Sequence, residues 1–290
     1  MNGDFVLRLA QLALDLDRRN SDGAPLYGPA LSLVGQVCFS RGELKTARAH
    51  FEQAVQMTTE TNCAADELAI RKYNLARVML AEDQIKNGRL LQEEALHEAL
   101  EAWGAHSPAL LPFLHGLGKV YDEQGLTDDA LRLVRQAYLL EQKLYGTNDV
   151  RAATSLNNLG WLESKNGSYE RASSLFRRCI ELRTKAYGPD HIELNIPMAN
   201  LAHTLSHSAQ YEEAIPVAEE SVRQALMRYG QASSELAGRI GILATILQKS
   251  EKIEKAEEQF RAAVQAASKY TIQSGRQGSL ALATSLSNLG

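Results

Sequence analysis

Residues 186–195 read AYGPDHIELN. Gly and Pro interrupt helices while Asp and His serve catalysis and metal binding, so this stretch is a catalytic loop, a metal site or a joint between helices. Its aromatic-Gly pair decides among them. The pair recurs as Trp103-Gly104, Tyr145-Gly146, Tyr187-Gly188 and Tyr229-Gly230, each 42 residues from the next. The same interval links Leu75-Ala76, Leu117-Gly118, Leu159-Gly160, Leu201-Ala202 and Leu243-Ala244, and again Ala130, Ala172, Ala214 and Ala256. Three registers at one spacing identify an internal repeat. Upstream, Val34-Gly35, Gly42, Ala47 and Phe51 fit after a one-residue deletion in the Asn62 to Ala65 turn. Downstream, Leu289-Gly290 fits after about four extra residues around QSGRQG.

Between the markers, apolar residues fall at helical spacing: Leu156, Leu159, Gly160 and Leu162, then Ala172, Leu175, Phe176, Cys179 and Ile180. Each unit is therefore two helices. In the repeat ending at AYGPDH, helix A is predicted over about 150–166 and helix B over about 169–187, with Asn166-Gly167 turning the chain. One hairpin cannot bury both of its apolar stripes, so hairpins must stack. The expected fold is all-α: a right-handed superhelical solenoid of antiparallel helix hairpins over residues 1–290. Its units lie at about 26–62, 65–104, 108–146, 150–188, 191–230 and 233–271. A leading half-unit helix at 4–19 and a trailing half-unit at 278–290 flank them. Apolar stripes left open at both ends predict a piece of a longer chain.

Asn158, Leu159, Gly160, Gly167, Ala172, Phe176 and Cys179 together resemble the tetratricopeptide repeat. The 42-residue period, opened by LNNLG and closed by YGPDH, is similar to the kinesin-light-chain subtype of that family. The likeness runs over about residues 26–290. The second unit departs from it: Asp83 stands in place of Gly, Gly88 in place of the helix-B Ala, and Gln92 in place of the aromatic. That hairpin is expected to be the least well packed.

A net charge of −4, with 23% charged residues, gives no field that would favour nucleic acid or an anionic membrane. No apolar run reaches the roughly 20 residues of a bilayer span, and MNGDFVLRLAQ lacks the layout of a secretion signal. A cytoplasmic protein is expected. Cys38, Cys63 and Cys179 have no paired spacing, which predicts reduced structural thiols and neither a disulfide nor a zinc site.

Catalytic patterns are weak throughout. His203 and His207 stand at i, i+4, but HTLSH lacks the general-base Glu of metalloprotease helices and has no evident third ligand. Asp190 and His191 read as the start of a helix, with the Asp side chain capping it and Tyr187 closing the previous helix against the next hairpin. Asp128-Asp129 and Glu212-Glu213 suit the positive end of helix B. Tyr121, Phe176 and Phe260 fall on packing registers. No nucleophile elbow, phosphate-binding loop or dinucleotide fingerprint occurs, so neither an enzyme nor a cofactor is expected.

A surface remains. The resemblance implies that the A helices line a concave groove, facing it with the residue before the marker Leu and the one two after it. Those positions hold Asn74 and Arg77, Gly116 and Lys119, Asn158 and Trp161, Asn200 and His203, Ile242 and Thr245; one residue further back lie Tyr73, His115 and Asn157. Asn can donate and accept at once, Arg and Lys attract acidic groups, and Trp161 can anchor an aromatic contact. The expected function is a non-catalytic scaffold that binds an extended peptide or partner segment with acidic or aromatic residues. The terminal-carboxylate clamp of chaperone-tail receptors is absent, since Tyr73, His115, Asn157, Ala199 and Gly241 occupy its positions. Two other uses fit the same pattern: a peptide-sensing module of a larger signalling protein, or homotypic assembly through the ends at Phe5 to Leu14 and Leu280 to Leu289.

Overall fold

The 3.6-residue periodicity becomes helix at every repeat. The computed structural model describes residues 27–60 and 64–274, with positions 8 and 12. The leading helix, Cys63, the ends at Phe5 to Leu14 and Leu280 to Leu289, and the trailing half-unit lie outside the described residues. The described helices, in chain order, are α1 (Tyr27–Ser40), α2 (Leu44–Glu60), α3 (Ala65–Ala81), α4 (Ile85–Trp103), α5 (Leu111–Glu123) and α6 (Thr127–Tyr145). There follow α7 (Ala153–Lys165), α8 (Tyr169–Tyr187), α9 (Asn195–His207), α10 (Tyr211–Tyr229), α11 (Ser234–Lys249) and α12 (Ile253–Ser274). Odd-numbered helices are A helices and even-numbered ones B helices, and no strand occurs among the described residues. The chain divides into two compact units, Met1–Leu140 and Glu141–Gly290.

A small residue on several A helices admits a larger one from the B helix of the same hairpin. A Cβ on Gly160 would stand 2.8 Å from Phe176 Cε1, and one on Gly35 would meet the Phe51 ring at the same distance. Both Phe side chains are buried. In the Met1–Leu140 unit, Val34, Cys38, Ala47 and Phe51 form one core, and Ala95, Leu110, Leu114 and Leu117 form another. In the Glu141–Gly290 unit, Phe176, Leu205, Leu243 and Phe260 belong to a single cluster. Phe260 is buried, as expected; Tyr121 is half-buried and donates its hydroxyl proton to Glu93 Oε1 at 2.9 Å. The second hairpin is filled differently from the others rather than left loose. Leu80 occupies the space beside Gly88, its Cγ 2.7 Å from where a Cβ would be, and Gln92 is buried at the aromatic position.

Hairpin turns fall on a register of their own. Gly42, Gly125 and Gly167 have φ of 77°, 74° and 79°, while Asp83, Ala209 and Glu251 take the same turn at φ of 64°, 60° and 62°. At Ala209 the chain closes by N–H bonds from Ala209 to Ser206 O at 3.3 Å and from Gln210 to Leu205 O at 2.9 Å. A left-handed residue with a Cβ costs about 1–2 kcal/mol. Ala209→Gly is therefore expected to stabilise the Glu141–Gly290 unit by about 1 kcal/mol, less what the freer unfolded chain takes back. A thermal melt checks it, and an unchanged or lowered midpoint would contradict it.

The joint at AYGPDHIELN corrects several expectations. Helix A begins with a short 3-10 turn, Val150–Ala152 in one repeat and Ile192–Leu194 in the next. The cap of Ile192–Leu194 is His191, whose Nδ1 accepts the Glu193 N–H at 3.3 Å. Asp190 instead accepts from Arg223 of α10 at 2.5 Å. Ser107 and Asp149 cap in the same way at 42-residue intervals, and Ser233, one interval on, caps α11 directly by accepting the Leu236 N–H at 3.0 Å. The Arg151 guanidinium hydrogen-bonded to Asp149 holds that carboxyl down at about 2. Tyr187 is exposed, and its contact with the next hairpin is a ring contact 4.7 Å from His191. Gly188, at φ 92° and ψ 165°, occupies a region almost exclusive to Gly and distinct from the left-handed helical one.

Candidate functional site

In four consecutive repeats the A helix exposes the residue two after the marker Leu, whereas Thr245 at the same position of the next is half-buried and donates to Gly241 O at 2.9 Å. Arg77 (α3), Lys119 (α5), Trp161 (α7) and His203 (α9) are all exposed at this position and are 42 residues apart. The two compact units carry two of them each.

In the Met1–Leu140 unit the surroundings hold Arg77. The Arg77 guanidinium lies 5.0 Å from the centre of the Phe39 ring and 5.9 Å from that of Tyr73, a cation–π arrangement that orders it without consuming its N–H donors. Tyr73 is half-buried, its ring 4.7 Å from Phe113 and its hydroxyl donating to Pro112 O at 3.0 Å. Burial pushes that hydroxyl's pKa up. A Cβ on Gly116 would stand 2.7 Å from the Tyr73 hydroxyl, so Gly at this groove position is the partner of a tyrosine on the preceding A helix. Lys119 is highly exposed and 3.5 Å from Glu123 Oε1. A surface pair of that kind contributes little and is easily exchanged for a ligand carboxylate. His115 is half-buried, and Asn74 is buried at 6% exposure. Asn74 is thus placed inside the helix packing, not on the groove face.

In the Glu141–Gly290 unit, Asn200 Nδ2 donates to Asn157 Oδ1 at 3.1 Å, joining α9 to α7. Asn157 Nδ2 in turn points to Asn158 Oδ1 at 3.5 Å. Part of the amide row therefore braces neighbouring A helices, a link of about 1 kcal/mol. Thr204 and Ser164, bonded at 3.1 Å, make a second link between the same helices. Beside this brace runs a row of rings. Trp161, 38% exposed, lies 6.5 Å from His203; His203 lies 4.4 Å from His207; and His207 stacks at 5.8 Å on Tyr169, the first residue of α8. Burial, the neighbouring His207 and Lys249 lower the pKa of His203, and burial and Lys249 lower that of His207. Both shifts favour the neutral ring. Position within the repeat could not reveal Tyr169 as a member of this row, because it comes from the opposite helix of a hairpin.

The two described cysteines, Cys38 and Cys179, are buried and unpaired. Burial raises the Cys179 thiol to about 11, and its S–H donates to Ala153 O at 3.1 Å. No group of three or more His, Cys, Asp or Glu able to hold a metal ion occurs among the described residues, and no described helix is long and apolar enough to cross a membrane.

Residues 114–185 and 162–226 match the tetratricopeptide-repeat family model. A search of curated proteins finds no sequence match. Among solved structures, BtubC (BKLC) from P. vanneervenii superposes with a TM-score of 0.68 at 17% identity, over 80% of this chain and 94% of that one. The nearly identical TPR-like repeats of a kinesin light chain from Podosopora anserina give 0.60 at 19% identity, over 74% of this chain and 99% of that one. PilF of Pseudomonas aeruginosa gives 0.56 at 16% identity, over 86% of this chain and 97% of that one. At these identities the likeness is one of fold, and it joins the family match and the 42-residue registers. Residues 114–226 carry tetratricopeptide repeats, and the chain shares its fold with the kinesin-light-chain-like repeat structures.

Proposed function

We propose that the protein is a non-catalytic interaction scaffold, working in the cytoplasm without a cofactor, that binds an extended protein segment along the walls of its A helices. The observation that carries this reading is that Arg77 and Lys119 in one unit, and Trp161 and His203 in the other, are exposed at the same position of their A helices. Arg77 and Lys119 suit acidic residues of the ligand, and Trp161 with His203 suits an aromatic one. Asn158 and Asn200 supply amide contacts; Asn157, Tyr73, Asn74 and His115 support the wall behind the row. An extended ligand must be ordered on binding, so the affinity is expected near micromolar, about −8 kcal/mol.

The test is fluorescence polarisation with labelled peptides that carry acidic residues and one aromatic. Trp161→Ala is expected to weaken the tightest of them by about tenfold while helicity is unchanged. Equal affinity for Trp161→Ala and the unaltered protein would remove Trp161 from the site.

A further inference from the structure

His203 and His207 lie one turn apart on α9, and their Nε2 atoms stand 3.2 Å from each other. In neutral rings that separation is a shared hydrogen bond, one Nε2–H donating to the other Nε2. It is also the bite of two imidazoles on a single metal ion. With metal–nitrogen bonds of 2.0–2.1 Å, two nitrogens 3.2 Å apart subtend about 100° at the metal, close to a tetrahedral angle. The rings are already held in place, His203 beside Trp161 at 6.5 Å and His207 stacked on Tyr169 at 5.8 Å. Both residues are exposed, so an ion seated between them has its remaining positions open to solution.

The geometry assigns to His203 and His207 a two-point site for a borderline divalent transition metal, Zn2+, Ni2+ or Cu2+. Imidazole nitrogens suit these ions and not Mg2+ or Ca2+, which take oxygen. Binding needs no net proton release, because the donor ring passes its proton from Nε2 to Nδ1 and offers the lone pair that results. Lys249, which lowers the pKa of both rings, opposes the incoming charge and keeps the site modest in strength. The open coordination positions are filled by water, or by a carboxylate or imidazole of a bound partner. The inference concerns the metal alone and does not depend on the peptide reading.

Titration of tag-free protein with Ni2+ tests it, read by calorimetry and by tryptophan fluorescence. The chain's two tryptophans are Trp103 and Trp161, and a paramagnetic ion held by His203 sits close enough to Trp161 to quench it. Saturable binding of one ion per chain is expected, displaced by Zn2+ and insensitive to Mg2+. His203→Gln and His207→Gln should each weaken it by at least about tenfold, since one imidazole alone loses the chelate. His97→Gln should not, although His97 also sits one turn from a metal-ligating side chain, Glu101, at 3.4 Å. Trp161→Phe should remove most of the optical signal and leave the heat. Absence of saturable heat would overturn the assignment, and so would binding that survives both His203→Gln and His207→Gln unchanged.

Discussion

Phe176→Ala is expected to destabilise the Glu141–Gly290 unit by about 3–5 kcal/mol, the usual cost of removing a fully buried aromatic ring from a core. Phe176 is 0% exposed and fills the space that Gly160 leaves open on its A helix. The helices on either side are held by the same cluster, which includes Leu201 and Leu205 of α9 and Leu243 of α11. The hole has no side chain free to fill it: Ala172, Ala202 and Ala214 around it are already buried small residues. Because each repeat is stabilised by its neighbours, the loss should spread along the unit instead of remaining in one hairpin. Hydrogen exchange is the appropriate readout, since unfolding of stacked repeats need not be all-or-none. Amides of α7 to α10 should exchange much faster, with the denaturation midpoint lowered. Phe176→Leu, which keeps most of the volume, should cost about 1 kcal/mol. A loss under about 1 kcal/mol for Phe176→Ala would show that the small-to-large fit of Gly160 and Phe176 is not what joins the two helices.

The repeat was legible because its packing is periodic: the same small residue, the same large one and the same turn come back at a fixed interval, so registers corroborate one another. Helix B of the repeat ending in AYGPDH runs Tyr169–Tyr187, as its apolar spacing predicts. What failed was local chemistry with two equally good candidates. Asp190 and His191 are adjacent, and an aspartate is the more common cap, yet the register shared with Ser107, Asp149 and Ser233 puts the cap at His191. Asp190 is drawn instead to Arg223 on α10, a partner 33 residues away that no local pattern announces. The candidate site was legible as a set of positions and not as a set of states. Arg77, Lys119, Trp161 and His203, which repeat position singles out, are each exposed. It could not distinguish an Asn facing a ligand from one facing the next helix, since that depends on cross-helix distances such as the 3.1 Å between Asn200 and Asn157. Nor could it distinguish the half-buried Asn158 and Asn200 from Asn74, which is buried.

The second large effect is on binding. Arg77→Ala, Lys119→Ala, Asn158→Ala and Asn200→Ala combined should weaken an acidic, aromatic-bearing peptide by at least about a hundredfold, or about 3 kcal/mol. Arg77 accounts for much of this, because its guanidinium is held by the Phe39 and Tyr73 rings and little ordering entropy remains to be lost on binding. Lys119, whose contact with Glu123 is a weak surface pair, contributes through its charge and adds salt dependence. Asn200→Ala also removes the bond to Asn157, so part of its effect is a loosened wall, visible as a small loss of stability without ligand.

The most direct measurement compares this quadruple variant with a variant altered on the B helices, Arg132→Ala with Arg261→Ala, whose side chains are each 72% exposed. Peptide affinity is read by polarisation for both, alongside the unaltered protein, after circular dichroism shows equal helicity. If the A-helix walls are the binding surface, the quadruple variant loses at least about a hundredfold and the B-helix variant stays within about twofold. Retained affinity in the quadruple variant, or an equal loss in the B-helix variant, would contradict it.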